Sequence, residues 1–313
     1  MDILFYHPSA DSNDWIARIM AQLPNANVYT YHQGATQTAD YALVWDPTRE
    51  ILSHQDNLKG IFILGAGVDK ILNQQKRMPG LLPQNVPLYR LEDAGMALQM
   101  QEYAIASVMR YFRRLDEYYQ QQQHKQWHVL SAHSYEEFVI GVMGLGVLGE
   151  QVATRLAALG FKVKGWSRSK KSIDHVDCYS QNQHDEFISG TKLLINLLPC
   201  TPQTQGILNK SLFTKLEDGA YLINLARGNH VVEEDLLNAI ANKKIKAATL
   251  DVFATEPLPS EHPFWCTPEI TITPHISALT QADKAIPQIV EKILRIEKGE
   301  KVAEGLIDLE KGY

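Results

Sequence analysis

The sequence has few cysteines, no long apolar run and no excess of positive charge. Its three cysteines, Cys178, Cys200 and Cys266, lie far apart and form no Cys-x-x-Cys pair. This pattern argues against a disulfide framework and against a cysteine-based zinc site, and it favours a reducing compartment. No stretch approaches the roughly 18 apolar residues that a membrane-spanning helix needs, and the first residues lack the basic start of a signal peptide. We therefore expect a cytoplasmic protein with no membrane partner.

The charge balance excludes a second class of partner. Thirty Lys and Arg residues face 36 Asp and Glu residues, so the formal net charge is −6. Such a chain has no overall field that attracts nucleic acid, and we expect no nucleic-acid partner. The histidines show no spacing typical of metal ligands, so no metal site is predicted. At roughly 150 residues per domain, 313 residues correspond to about two domains.

Short apolar runs alternate with helical patterns, which is typical of parallel sheets covered by helices on both faces. Eleven strands are predicted, at residues 3–6, 28–31, 41–45, 61–64, 86–89, 138–143, 162–166, 193–198, 221–225, 248–252 and 270–273. One long helix is predicted over residues 96–123. Another begins with Thr280 as its cap and ends near Lys298, and we expect Pro287 to kink it. The pattern predicts an α/β protein.

A glycine-rich motif follows the strand at residues 138–143. It is a complete G-x-G-x-x-G, made of Gly144, Gly146 and Gly149 with Val147 and Leu148 between the last two. The helix predicted after it has Val152, Leu156 and Leu159 on its apolar face. A strand before this motif and a helix after it are typical of a dinucleotide site, where the helix N-terminus binds the pyrophosphate. The alternative, a glycine-rich turn with no ligand, fits these flanking patterns less well.

The end of the next strand indicates which dinucleotide binds. NAD sites usually place a carboxylate there, about 20 residues after the glycines, to bind the ribose hydroxyls. Residues 167–171 instead read Ser-Arg-Ser-Lys-Lys. Ser167 and Arg168 are suited to bind a 2′-phosphate, which a carboxylate would repel. NADP(H) is therefore predicted in preference to NAD(H), although these residues could also be ordinary surface basic groups.

Three more polar segments follow strands of the same half of the chain. They are Asn-Leu-Ala-Arg-Gly at 224–228, Asp-Val-Phe-Ala-Thr-Glu-Pro at 251–257 and Thr-Pro-His-Ile-Ser at 273–277. Ligands of open α/β sheets bind at the carboxyl ends of the strands. We therefore expect Arg227, Glu256 and His275 to lie at one sheet edge with the glycine loop.

These segments together resemble the D-2-hydroxyacid dehydrogenase family over essentially the whole chain. The resemblance extends to Gly-Ala-Gly-Val-Asp at 65–69 and Leu-Pro-Cys-Thr-Pro-Gln-Thr at 198–204. Phe-Tyr-His-Pro at 5–8, Val-Trp-Asp-Pro at 44–47 and residues 90–96 look closest to the bacterial glyoxylate/hydroxypyruvate reductase subgroup.

The resemblance implies the roles of the candidate catalytic residues. His275 would be the general acid, and Glu256 would hydrogen-bond its other ring nitrogen and favour the imidazolium. Arg227 would hold the substrate carboxylate and polarise the carbonyl. The backbone N–H groups of Ala66 and Gly67 would bind the other side of that carboxylate. Taken singly, a histidine is more often structural, and an Arg–Glu pair is usually a surface salt bridge.

Further contacts are implied by the same resemblance. Leu198, Pro199 and Ala226 would border the cofactor, and Asp251 would contact the nicotinamide amide. Asp251 has an alternative role as a strand-end carboxylate that satisfies a turn. Trp45 ends a predicted strand and could limit the pocket to small substrates, but core packing is an equally good interpretation.

The resemblance also implies an organisation. Two Rossmann-like or flavodoxin-like parallel-sheet domains would be separated by an active-site cleft. Residues 1–105 and 286–313 would form a discontinuous substrate domain, and residues 106–285 an NADP-binding Rossmann domain. A homodimer is the family's usual state.

We therefore expect an NADPH-dependent reductase of small 2-oxoacids, with glyoxylate and hydroxypyruvate as substrates. One alternative is a related dehydrogenase for another 2-ketoacid. A second is a non-catalytic dinucleotide-sensing protein, but the chain has none of the tails or low-complexity arms expected of one.

Overall fold

The computed structural model describes residues 1–8, 10–32, 37–53, 55–83 and 85–309. The chain divides into two compact units, Met1–Met96 with Thr280–Tyr313, and Ala97–Leu279. Residues 310–313, which the sequence assigns to the end of the substrate domain, lie outside the described residues. Among the described residues, no helix has both the length and the apolarity to cross a membrane.

The first unit contains a five-stranded parallel sheet. Its strands are β1 (Asp2–Tyr6), β2 (Asn27–Thr30), β3 (Tyr41–Val44), β4 (Gly60–Ile63) and β5 (Leu88–Arg90). They lie in the order β2-β1-β3-β4-β5, which is the flavodoxin-like order. The helices of this unit are α1 (Ser12–Gln22), α2 (Arg49–Leu52), α3 (Asp69–Arg77) and α10 (Ala282–Glu297). The five strands predicted here are confirmed.

The C-terminal helix α10 packs on α1. Its cap is Gln281, not the predicted Thr280. The hydroxyl of Thr280 instead donates to the Leu64 carbonyl at 2.9 Å, so it serves the loop after β4. The helix continues through Pro287.

The second unit contains a seven-stranded parallel sheet. Its strands are β6 (Ile140–Met143), β7 (Val163–Trp166), β8 (Val176–Tyr179), β9 (Leu193–Asn196), β10 (Ala220–Asn224), β11 (Ile245–Leu250) and β12 (Ile270–Ile272). Counted within the unit, their order is 3-2-1-4-5-6-7, which is the Rossmann order with one added strand. The six predicted strands are confirmed, and β8 was missed because it is a short edge strand carrying Asp177 and Cys178.

Helices cover this sheet on both faces. They are α4 (Met96–Phe112), α5 (Leu115–Gln123), α6 (Val147–Ala158), α7 (His184–Ile188), α8 (Lys210–Lys215) and α9 (Glu233–Ala241). Along β9, Leu193 and Ile195 pack in one core with Val108 of α4, while Leu194 packs in the other with Phe213 of α8. Apolar side chains are needed on both faces, which explains the continuous apolar run of this strand.

Two further details of the predicted helices, besides the Thr280 cap, are wrong. Val152 and Leu156 of α6 are buried as expected, but Leu159 lies at the helix end and is 41% exposed. The predicted helix over 96–123 is broken into α4 and α5 by Arg114, whose φ of 58° lies in the left-handed region. No Gly or Pro marks the break, and the left-handed conformation costs a non-glycine residue about 1–2 kcal/mol.

Side-chain contacts of Arg114 offset that cost. Its guanidinium donates to both carboxylate oxygens of Glu117, at 2.7 and 2.8 Å, and to the Ser131 carbonyl at 2.7 Å. Lys246 adds a 2.7 Å ion pair to Glu117. Partial burial acts against ionisation, but these hydrogen bonds outweigh it and lower the pKa of Glu117 to about 2.

Replacing this carboxylate gives a pH-dependent loss of stability. Since the folded pKa lies below the ordinary value of 4.5, ionised Glu117 stabilises the fold above pH 4.5, and this is lost as the pH falls toward 2. We expect Glu117→Gln to lower the free energy of unfolding by about 1–2 kcal/mol at pH 7, after allowance for solvent screening. Urea unfolding of the wild type and of Glu117→Gln at pH 7 and pH 3 measures the free energy of unfolding of each. The difference between the two proteins should be smaller at pH 3. An unchanged difference would contradict the assignment.

Candidate active site

The glycine loop joins β6 to α6 at the carboxyl edge of the seven-stranded sheet. A Cβ on Gly149 would lie 1.8 Å from the Gly144 carbonyl oxygen, so glycine is needed there for close packing. A Cβ on Gly146 would meet nothing within 4 Å, so that side of the loop is open. The N-cap of α6 is Gly146, which has no side chain that could cap the helix. The loop therefore fits a dinucleotide pyrophosphate, with Val147 and Leu148 in the first helical turn.

The segment after β7 carries basic groups and no carboxylate. The hydroxyl of Ser167 donates to the Ser169 carbonyl at 2.8 Å and orders the turn. Arg168 is exposed. Lys171 forms a 2.6 Å ion pair with Glu150 of α6, so the charge of that carboxylate is offset. This environment suits a phosphate group better than a bare ribose.

The loop after β10 carries Arg227. Its guanidinium donates to the Ala226 carbonyl at 2.7 Å. The next residue, Gly228, allows a close approach that sequence reasoning missed, because a Cβ there would lie 1.8 Å from the Phe253 carbonyl carbon. The loop that carries Arg227 is thereby packed directly on the loop that leads to Glu256.

His275 and Glu256 form the predicted pair. The Nδ1 atom of His275 lies 2.9 Å from Oε2 of Glu256. The other carboxylate oxygen of Glu256 accepts the Phe253 N–H at 2.9 Å. A carboxylate only accepts, so Nδ1 of the imidazole carries a hydrogen and Nε2 is directed to other partners. The pair therefore has the arrangement of an oriented acid–base group.

Electrostatics keep Glu256 ionised. Burial acts to raise the pKa of Glu256, but the hydrogen bonds from His275 and from the Phe253 N–H, with the charge of Arg227, hold it below its usual value. An ionised carboxylate beside the ring stabilises the imidazolium. Arg227 lies within electrostatic reach of Glu256.

The backbone at His275 adopts an uncommon conformation. Its φ of 57° is in the left-handed region, where a non-glycine residue is strained. Its N–H donates to the Asp251 carbonyl at 2.8 Å and to the Thr273 carbonyl at 3.1 Å. Strain of this kind is found where surrounding contacts hold a functional side chain in place.

Asp251 supplies many of those contacts. It is fully buried, and its carboxylate accepts the Thr273 hydroxyl at 2.6 Å and the N–H groups of Ile276 and Ser277 at 2.9 and 2.8 Å. Tyr103 of α4 bonds the same Thr273 hydroxyl at 2.6 Å, a contact that sequence reasoning missed. These bonds favour the turn-satisfying role that the sequence left open for Asp251.

Ala66, Gly67 and Trp45 lie in the first unit, at the carboxyl edge of its sheet. The N–H groups of Ala66 and Gly67 donate to no other group in the described part of the chain. Trp45 packs over Gly65, since a Cβ there would lie 2.4 Å from its ring. It also stacks on His7, with ring centroids 6.3 Å apart. Trp45 thus packs locally while bordering the loop that carries the two N–H groups.

The described residues contain no cluster of His, Cys, Asp or Glu suited to a metal ion. Leu198 and Pro199 follow β9, which is paired with the β6 strand that leads to the glycine loop, and Ala226 follows β10, the next strand along the sheet. The carboxyl edge of one sheet therefore brings together all the second-unit residues predicted for the site.

Comparison with known proteins identifies relatives along the whole chain. A family model described as D-isomer specific 2-hydroxyacid dehydrogenase, NAD binding domain, matches residues 105–277. The glyoxylate/hydroxypyruvate reductase A of Yersinia enterocolitica is 54% identical over 100% of both chains.

Solved structures agree with that similarity. A D-isomer specific 2-hydroxyacid dehydrogenase from Xanthobacter autotrophicus, in complex with NADPH and MES, is 35% identical with a TM-score of 0.93, covering 100% of this chain and 99% of that one. The NADPH-dependent glyoxylate/hydroxypyruvate reductase from Sinorhizobium meliloti, in complex with NADP and sulfate, is 34% identical with a TM-score of 0.91 over the same shares.

Asp251 offers a test of how the His275 turn is held. In Asp251→Asn an amide N–H would face the donors that now bond the carboxylate, so the turn should shift and His275 should lose its position. We expect kcat to fall about tenfold or more while the Kd for NADPH changes less than threefold. Steady-state kinetics and fluorescence titration measure the two. A larger effect on NADPH binding than on kcat would instead favour direct contact with the nicotinamide amide.

Proposed function

Because this chain belongs to the D-isomer specific 2-hydroxyacid dehydrogenase family, we propose that it reduces small 2-oxoacids with NADPH, glyoxylate to glycolate and hydroxypyruvate to glycerate. The observation that carries this proposal is the hydrogen-bonded pair of His275 and Glu256, at the sheet edge that also holds the glycine loop and Arg227. The first unit is assigned to substrate binding and the second to the coenzyme.

The coenzyme site is assigned to residues at the ends of four strands. Gly144, Gly146, Val147, Leu148 and Gly149 would hold the pyrophosphate, Ser167 and Arg168 the 2′-phosphate, and Leu198, Pro199 and Ala226 would border the nicotinamide half. When bound, NADPH supplies a hydride to the carbonyl carbon of the substrate.

His275 supplies the proton. As the hydride adds to the carbonyl carbon, the C=O π bond breaks and its oxygen takes the proton from Nε2 of His275, which leaves a neutral imidazole. Glu256 holds the ring through Nδ1 and stabilises the imidazolium before transfer. Asp251 and Thr273 hold the backbone that presents the ring.

The substrate carboxylate needs positive groups and N–H donors. Arg227 offers a planar guanidinium that binds a carboxylate in a bidentate manner and polarises the adjacent carbonyl. In the first unit, the N–H groups of Ala66 and Gly67 are suited to the same anion. Trp45 borders their loop and limits the space beside it, which favours small 2-oxoacids.

We also propose a cytoplasmic homodimer. Trp127 is fully exposed and Val129 is 80% exposed. Their segment lies along α5, because the Leu130 N–H donates to the Tyr118 hydroxyl at 3.0 Å. Apolar side chains exposed in one place mark interaction surfaces.

His275→Ala tests the catalytic assignment. Without the imidazole no group delivers the proton, so kcat should fall about a hundredfold or more, while the Kd for NADPH stays within about threefold. The matched control is His262→Ala, since His262 also pairs with a carboxylate, that of Glu233 at 3.1 Å. The control should keep near-normal kcat. Equal losses in both variants, or loss of NADPH binding in His275→Ala, would show a folding role instead.

Arg168→Ala tests the coenzyme preference. Loss of a charge-assisted bond to the 2′-phosphate should raise the Kd for NADPH about tenfold and leave the Kd for NADH nearly unchanged. Lys170→Ala, at an exposed neighbouring position, is the control and should change neither by more than about twofold. Equilibrium titration of both coenzymes gives the Kd values. If Arg168→Ala weakens the binding of NADPH and of NADH equally, Arg168 does not contact the 2′-phosphate.

Trp127→Glu tests the dimer surface. A charge in the centre of a buried apolar contact should dissociate the protein to monomers, as measured by light scattering after gel filtration. Met20→Glu, on the exposed side of α1, is the control and should leave the mass unchanged. A monomeric wild type, or a dimeric Trp127→Glu protein, would contradict this surface.

A further inference from the structure

Three polar side chains are buried together where β9 and β10 end. Asn196, Asn224 and His230 are all completely inaccessible to solvent. Neither the motifs nor the proposed chemistry assigns them a role. Burying amides and an imidazole is costly unless each polar atom is hydrogen-bonded, so their partners indicate what the cluster holds.

The amide of Asn196 determines which ring nitrogen of His230 carries a hydrogen. Its Nδ2 atom donates to Oδ1 of Asn224 at 2.9 Å and to Nδ1 of His230 at 2.8 Å. Because Nδ1 of His230 accepts, the imidazole is neutral and carries its hydrogen on Nε2. That nitrogen lies 3.3 Å from the Pro199 carbonyl and donates to it. Oδ1 of Asn196 accepts the Leu198 N–H at 3.3 Å.

Asn224 extends the network to the second loop. Its Nδ2 atom donates to the Arg227 carbonyl at 2.9 Å, and its Oδ1 accepts the Ala226 N–H at 3.3 Å. The cluster thus bonds the backbone of Leu198 and Pro199 on one side and that of Ala226 and Arg227 on the other. The first pair is assigned to the coenzyme and the second carries the substrate-binding arginine.

We propose that His230, Asn196 and Asn224 are positioning residues that hold the coenzyme loop in register with Arg227. The proposal rests on the proposed function, because it assigns those two loops their ligands. The network acts through backbone atoms and touches no reacting group. Four backbone groups of the two loops are bonded by these three side chains, so a shift of either loop breaks a buried hydrogen bond.

Two variants of His230 distinguish the effect of its bond to Asn196 from that of its bond to the Pro199 carbonyl. His230→Leu removes the ring's hydrogen bonds to Asn196 and to the Pro199 carbonyl at similar side-chain volume. His230→Gln keeps a side-chain N–H donor for the Pro199 carbonyl while losing the ring that meets Asn196. Thr191→Val is the matched control, because Thr191 is equally buried in the same unit and its hydroxyl donates to the Phe187 carbonyl of α7, at 2.9 Å, away from both loops.

The measurements are the Kd for NADPH by fluorescence titration, kcat and KM with glyoxylate, and the melting temperature. We expect His230→Leu to raise the Kd for NADPH and the KM for glyoxylate about tenfold each. His230→Gln should restore the Kd to within about threefold of wild type while the KM for glyoxylate stays raised about fivefold. Thr191→Val should lower the melting temperature and change neither constant by more than about twofold.

If His230→Leu melts earlier but keeps both constants within twofold, the cluster is only structural. If His230→Leu does not fold, the constants of His230→Gln are the test. A KM for glyoxylate equal to that of the wild type would overturn the proposal. A Kd for NADPH raised tenfold in the same variant would also overturn it. If the wild-type protein binds NADPH but reduces no 2-oxoacid, the proposed function is wrong. The Kd values of the His230 variants for NADPH would still test whether His230 positions the coenzyme loop.

Discussion

The parallel pairing of the seven-stranded sheet is the constraint from which the site follows. Strands covered on both faces carry mostly apolar side chains along their length, so charged and other polar groups collect mainly at the strand ends. Because every strand runs the same way, the loops after β6, β9, β10, β11 and β12 lie at one edge. That edge receives the glycine loop, Arg227, Glu256 and His275 from segments separated by up to 131 positions in the sequence (Gly144 to His275).

Within that edge, close packing and hydrogen bonds determine the geometry. Gly228 lets the Arg227 loop pack on the Phe253 backbone, and Asp251 holds the strained turn at His275. Glu256 is kept ionised by the bonds it accepts, so its charge is available to stabilise the imidazolium. The pair of His275 and Glu256 is therefore held in place by buried side chains and backbone groups of the neighbouring loops.

Much of this was predictable from the sequence because the signals are local. Apolar runs located eleven of the twelve strands, and the glycine spacing located the loop of Gly144. The exceptions lack a local signal of this kind. The break at Arg114 carries no Gly or Pro and is held by Glu117 and Lys246, and the edge strand β8 lacks an apolar run.

The role of Asp251 shows the same limit at the site. Its position at a strand end was evident, but a strand-end carboxylate can face a ligand or its own turn. Only the folded structure shows the Thr273 hydroxyl and the Ile276 and Ser277 N–H groups bonded to it. The buried partners of Asn196 and His230 were invisible in the sequence for the same reason.

We propose that this sheet edge catalyses NADPH-dependent reduction of the smallest 2-oxoacids. The direct measurement follows nicotinamide absorbance while the purified protein is offered glyoxylate, hydroxypyruvate, pyruvate and a branched 2-ketoacid, first with NADPH and then with NADH. We predict rapid oxidation of NADPH with glyoxylate and hydroxypyruvate, slower reaction with the two other acids, and weaker use of NADH. Tight binding of NADPH without turnover of any of the four acids would rule out this activity and favour a dinucleotide-sensing protein.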